Sequence, residues 1–218
     1  EYLEIAYNVV DWLLTESFMS QGDRANPEKA DYGLLTWHDG GSGIQFETYY
    51  GDDNAKAVLG LISALSSLRN QPSLYTQLGF ESEEAYLSAL DQLDKRVLEV
   101  ILGNYRTTST TGMRSDALSG SQLDANGWEY YFNKEVYNYA PHFEALNWAT
   151  YLWAYGQTGY KPLLERTKKG IQLMMAAYEK TMAENTGTTG EWYWTNGLQQ
   201  ERAKMILPLA WLVRVDAK

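Results

Sequence analysis

Apolar residues recur with helical spacing in six places along this chain, and the charges between them sort those places into two kinds. The spacing predicts helices over 2–19, 53–68, 82–102, 141–155, 162–183 and 197–213. In the first, Ile5, Val9, Trp12, Leu13 and Phe18 fall close to one face. The second has a stripe of Val58, Leu61, Ile62, Leu65 and Leu68, and the third one of Tyr86, Leu90, Leu93, Val97 and Ile101. Pro141 and Pro162 suit first-turn positions, where the missing N–H costs nothing. Asn196 with Gln199 offers the sixth helix a capping box, and Pro208 should kink it.

The third helix carries Glu83, Glu84, Asp91, Asp94, Lys95, Arg96 and Glu99, and the fifth Glu165, Arg166, Lys168, Lys169, Glu179 and Lys180. Each must keep one face in water. By contrast, 145–160 and 205–213 hold no charge, and the second helix has only Lys56 after Asp53. Helices without a charged face are expected to be buried on most sides. The order is then outer, inner, outer, inner, outer, inner. This predicts an all-α fold, an α/α array of about three outer/inner helical hairpins. No strand pattern competes, although a short β-hairpin could sit within 44–50 or 128–139.

Long connections precede the inner helices: 21–51, 106–139 and 185–196. They hold Trp37, Tyr49 and Tyr50, then Trp128, Tyr130 and Tyr131, then Trp192, Tyr193 and Trp194. If the helices alternate in direction, all three loops reach one end of the molecule, the usual binding face of a repeat array. Aromatic faces mixed with carboxylates and amides at one mouth suit an oligosaccharide or polysaccharide.

Composition narrows the classes. A net charge of −10 argues against nucleic acid and anionic membrane surfaces, because phosphate neutralisation needs an excess of Lys and Arg. With no cysteine, disulfides, thiolate catalysis and Cys-ligated zinc are excluded. No apolar run reaches the length of a membrane span. There is no GxSxG, no phosphate-cradling glycine loop and no HExxH, and no metal or cofactor is expected. The chain opens inside a helix with neither cap nor leader, which reads as part of a larger protein. A single domain over 1–218 is expected, with room for further domains of the same chain as partners.

Two segments carry a resemblance. Tyr49-Tyr50-Gly51-Asp52-Asp53-Asn54-Ala55 opens an inner helix, and Pro141-His142-Phe143-Glu144-Ala145-Leu146-Asn147-Trp148 opens the next, followed by a Thr158-Gly159 turn. Both resemble the six-hairpin glycosidase superfamily, a bacterial glycoside hydrolase type. The resemblance implies an (α/α)6 toroid with its cleft where the inner helices begin, and a secreted or periplasmic bacterial setting. A closed toroid has six hairpins, so three correspond to half of one, or a fragment.

The candidate catalytic residues are Asp52, Asp53 and Glu144, since glycoside hydrolysis uses one carboxyl to protonate the leaving oxygen and another to attack or activate water. The plainer reading makes Asp52 an N-cap and Asp53 and Glu144 first-turn acids favoured by the helix dipole. Candidate substrate-binding residues are Trp37, His38, Tyr50, Trp128, His142, Trp192 and Trp194. Trp148, Tyr151, Trp153 and Tyr155 read instead as core. The alternatives to a hydrolase are a non-catalytic glycan-binding or scaffolding helical domain and a protein-interaction repeat, the latter expected to show an apolar concave groove.

Overall fold

The computed structural model describes residues 2–15, 26–35, 48–114, 117–136, 141–184 and 202–216. They form an array of helical hairpins with a minimal sheet. The elements are α1 (Tyr2–Thr15), β1 (Thr48–Tyr50), α2 (Gly51–Arg69), a 3-10 turn (Pro72–Tyr75), α3 (Glu83–Arg106), β2 (Ala117–Ser119), α4 (Gly120–Asn126), α5 (Trp128–Asn133), α6 (Pro141–Thr158), α7 (Lys161–Glu184) and α8 (Ile206–Asp216). Among the described residues no helix is long and apolar enough to cross a membrane.

α6 is the central element. It packs against α2, α3, α7 and α8, and from Ala145 to Ala154 only Leu146 is not fully buried. The charge-free stretch therefore means what the pattern suggests. Trp148 is 0 % exposed and Tyr151 1 %, core residues as expected. Each fully buried side chain of this size contributes about 1.5–3 kcal/mol. α3 and α7 are outer helices, with Lys169 exposed and Glu99 half-buried. Ser82 caps α3 by accepting the Ala85 N–H at 3.1 Å, and the Tyr86 hydroxyl donates to Leu68 O at 3.0 Å, fastening α3 to the end of α2.

Three expectations need correction. In α1 the buried stripe is Val10 and Leu14, with Leu3, Tyr7 and Leu13 packed against the core. Ile5, Val9 and Trp12 are about half exposed at 54 %, 49 % and 50 %. Both faces of this helix carry apolar residues at helical spacing, so periodicity alone cannot choose between them. The sixth predicted helix is inner only on one side. α8 packs on α6 and buries Pro208 and Val215, yet Ile206 and Val213 are 68 % and 71 % exposed. Absence of charge permits burial without compelling it. Finally, the only described sheet is not a local hairpin. Thr48–Tyr50 pairs antiparallel with Ala117–Ser119, Tyr49 opposite Leu118, while Trp128–Asn133 is helical because Trp128 meets Phe132 one turn on, edge to face at 5.7 Å. Pro208 acts as expected. A turn at Met205 separates the helical residues 202–204 from α8, since proline can neither bond to nor fit beside the carbonyl four residues back. The Asn196–Gln199 capping box and Phe18 lie outside the described residues.

Candidate functional site

α2 and α6 begin side by side, and a glycine makes this possible. A Cβ on Gly51 would stand 2.8 Å from Asn147 Nδ2 and 2.9 Å from Arg114 Nη1. Only glycine lets the start of α2 press this closely on α6. Asn54 then binds the preceding loop like a strand, accepting the Leu35 N–H at 2.7 Å and donating to Leu35 O and Tyr50 O at 2.9 Å each. The Tyr49 hydroxyl donates to buried Asp31 Oδ2 at 2.9 Å, fixing β1 to the same loop.

Arg114 lies at the centre of this end, 1 % exposed. Its Nε donates to Thr107 Oγ1 at 2.8 Å, and Nη1 and Nη2 donate to Tyr49 O at 3.3 Å. Its backbone N–H donates to Glu144 Oε1 at 2.8 Å. One residue thus joins the end of α3, the end of β1 and the first turn of α6. Around it, Asn104 Nδ2 donates to Asn147 Oδ1 at 3.3 Å, and the Thr108 and Tyr151 hydroxyls bond at 2.7 Å. Burial pushes the Tyr151 phenol far above its ordinary range. Polar groups this deep must be paired with one another, since water is not available to solvate them.

The sequence-predicted residues divide around this centre. Asp52 and Asp53 are both first-turn residues. The N-cap of α2 is Tyr50, which makes no side-chain cap, so Asp52 is not the cap. Both aspartates bond to Lys56, Asp52 Oδ2 at 2.8 Å and Asp53 Oδ1 at 3.1 Å. Asp52 is buried behind this pairing, whereas the Asp53 side chain is 37 % exposed. Partial burial opposes the charge on Lys56, but the hydrogen bonds and charges of the two aspartates outweigh it and raise its pKa. Glu144 is 1 % exposed and bound to the backbone of Arg114. The acids of α2 and α6 therefore sit at one end, as helix direction predicts.

Tyr50 is half-buried at the mouth of α2. Trp128 is half-buried with the Arg106 guanidinium 4.6 Å from its ring centroid, so an arginine covers one of its faces. Arg106 also donates to Pro27 O and Lys29 O, and burial lowers its pKa. His142 stands in the first turn of α6. Its side chain, together with Trp37, His38, Trp192 and Trp194, lies outside the described residues. Among the described residues no three acidic or histidine side chains gather where they could hold a metal ion.

Sequence reasoning missed Arg114, Arg106 and Asn104. The available signal was the run 104–114, Asn-Tyr-Arg-Thr-Thr-Ser-Thr-Thr-Gly-Met-Arg, in which two arginines stand among small hydroxyl residues with no acid inside the run. Such arginines must find carbonyls, hydroxyls or distant carboxylates as partners. No protein-family model, no curated protein and no solved structure matches this chain.

Proposed function

We propose that this chain is a carbohydrate-active α/α-hairpin domain, part of a toroid of the six-hairpin glycosidase kind, that takes an oligosaccharide where α2 and α6 begin. Hydrolysis of a glycosidic bond is the reaction, with Asp53 as the carboxylate that meets the sugar. The observation that carries this reading is the convergence of first-turn acids from two adjacent central helices on one rigid polar floor. By exposure Asp53 reaches a ligand, Asp52 stands behind it, and Glu144 supports the floor through Arg114. Rigid support of this kind is what a site needs to hold reacting groups within the tolerance of the chemistry. Glycoside hydrolysis also needs a second carboxyl beside Asp53.

One observation favours a second reading, glycan binding without hydrolysis. Lys56 occupies an oxygen of both aspartates, so acid or base work requires the pair to release it. The two readings separate in one experiment. Oligosaccharide binding and release of reducing ends are measured on the wild type and on Asp53→Asn, with melting temperatures alongside. Hydrolysis that falls about 10²–10⁴-fold in Asp53→Asn at an unchanged melting temperature supports the hydrolase. Binding without any turnover supports the second reading, and absence of both rejects the mouth as a sugar site.

A further inference from the structure

Along the second half of α2, from Leu59 to Arg69 and so about 12–27 Å from Gly51 at 1.5 Å per residue, the C-terminal halves of α2, α6 and α8 enclose a groove of about 530 Å³. That volume falls within the roughly 300–1,000 Å³ of small-molecule sites. Ser63 and Ser66 of α2 line one side, Trp153 and Gln157 of α6 lie between, and Trp211 and Arg214 of α8 line the other. The lining is mixed: Leu59, Ile62, Leu65 and two indoles alternate with three serines and Gln157, and its charged residues are Arg69, Asp94 and Arg214, which is unlike the continuous apolar trough that an amphipathic helix needs.

The groove's two arginines differ. Arg69 is committed to acids of α3, bonding Asp91 at 2.9 Å and Asp94 at 2.6 Å. Arg214 has no carboxylate partner among the described residues. Its guanidinium lies over the Trp211 ring, 5.0 Å from the centroid. A last-turn arginine also suits the negative end of a helix dipole, but that role needs no indole beneath the side chain and no groove in front of it. A guanidinium held over an aromatic face still has N–H groups to offer the two oxygens of a carboxylate.

We propose that this groove is a second saccharide site, specific for sugars that carry a carboxylate, with Arg214 binding that carboxylate. Serine hydroxyls and the Gln157 amide complement the sugar hydroxyls, and the indoles supply apolar walls. The overall charge of −10 repels acidic ligands, so an uncommitted cation at one groove is what selects them locally. Asp53 is not among the groove's lining residues, and the site does not rest on the mouth's being a sugar site.

The test is calorimetric and amide NMR titration of the whole chain with uronate trisaccharides (galacturonate, glucuronate and mannuronate) and with their neutral counterparts. At least one uronate is expected to bind and to shift amides of α8 and the end of α2. Arg214→Gln should weaken that binding by about 10-fold or more, Arg214→Lys should restore part of it, and Asp53→Asn should leave it unchanged. The melting temperature of Arg214→Gln should match wild type, because the side chain is exposed. Failure of every uronate to bind at about 10 mM, affinities near or above that being negligible, overturns the proposal. So do equal binding of the neutral sugars, indifference to Arg214→Gln, and shifts confined to the starts of α2 and α6.

Discussion

Arg114 holds this end of the molecule together residue by residue. Replacing it with methionine preserves volume but leaves Tyr49 O and Thr107 Oγ1 without their donors in a buried site. Each buried hydrogen bond lost from a charged donor costs about 1.5–3 kcal/mol, so Arg114→Met should lose about 2–5 kcal/mol in urea unfolding. A loss below about 1 kcal/mol would show that the network is redundant. Tyr151 makes a second prediction at this scale. Its phenol is fully buried and its pKa is raised, burial being the main cause and the Thr108 hydrogen bond opposing it. A folded-state pKa raised above the unfolded value of about 10 means that the fold holds the neutral phenol. The contribution is complete below about pH 10 and is lost as pH rises past that point. Tyr86 and Tyr105 shift the same way, again mainly through burial. The urea midpoint should therefore stay flat on this account from about pH 8 to 9.5 and fall above about pH 10. Tyr151→Phe should flatten that fall at a cost of about 1 kcal/mol, because Thr108 Oγ1 keeps its bond to Asn104 O. An unchanged alkaline slope in the mutant would remove Tyr151 as the responsible group.

Elements meet here through two glycines. Gly112 has φ +81°, and a Cβ there would stand 2.2 Å from Arg166 O on α7. A Cβ on Gly170 would stand 2.6 Å from Trp148 Cζ2. The 107–114 turn thus lies flat on α6 and α7, where Trp148 Nε1 donates to Gly112 O at 2.7 Å. Gly112→Ala combines left-handed strain with overpacking, each worth about 1–3 kcal/mol. Gly159 has a similar φ of +68° but open space around it, so Gly159→Ala should cost only the backbone term of about 1–2 kcal/mol. Similar losses in the two variants would mean that the contact with α7 relaxes freely. The long helices α1, α2, α3, α6 and α7 were legible in the sequence, whereas the short α4 and α5 fall in what read as a loop. Charge density found α3, α6 and α7, and Pro208 marked the break before α8. The long connections were not, because their structure is set by distant partners. β1 finds β2 across all of α2 and α3, and the 26–35 loop is held by Asn54, Tyr49 and Arg106 from elsewhere in the chain. Local periodicity contains no record of such pairings. The same limit applies to the candidate site. The acids at the starts of α2 and α6 could be named from their positions, but the commitment of Asp52 and Asp53 to Lys56 and the burial of Glu144 depend on geometry.

Across the whole molecule, charge is the largest imbalance, with 28 acidic against 18 basic residues. The fold compensates only locally. Lys56 serves Asp52 and Asp53, Arg69 serves Asp91 and Asp94, Arg96 serves Glu99 and Lys168 serves Asp216. These pairs are largely solvent-accessible, so each contributes about 0–1 kcal/mol. The unpaired acids repel one another over longer distances, and salt acts most strongly on those distances. Raising NaCl from about 20 to 200 mM shortens the screening length from about 20 Å to about 7 Å. Partners within 3.1 Å keep most of their attraction at that length, while repulsion between acids on different helices is largely removed. The melting temperature should therefore rise by about 2–4 °C, the shift that about 1 kcal/mol produces in a chain of this size. Scanning calorimetry at the two salt concentrations measures it, with a non-specific osmolyte at matched osmolality as control. A fall in melting temperature would reverse the ranking, making the short ion pairs rather than the net negative field the dominant electrostatic contribution to this fold.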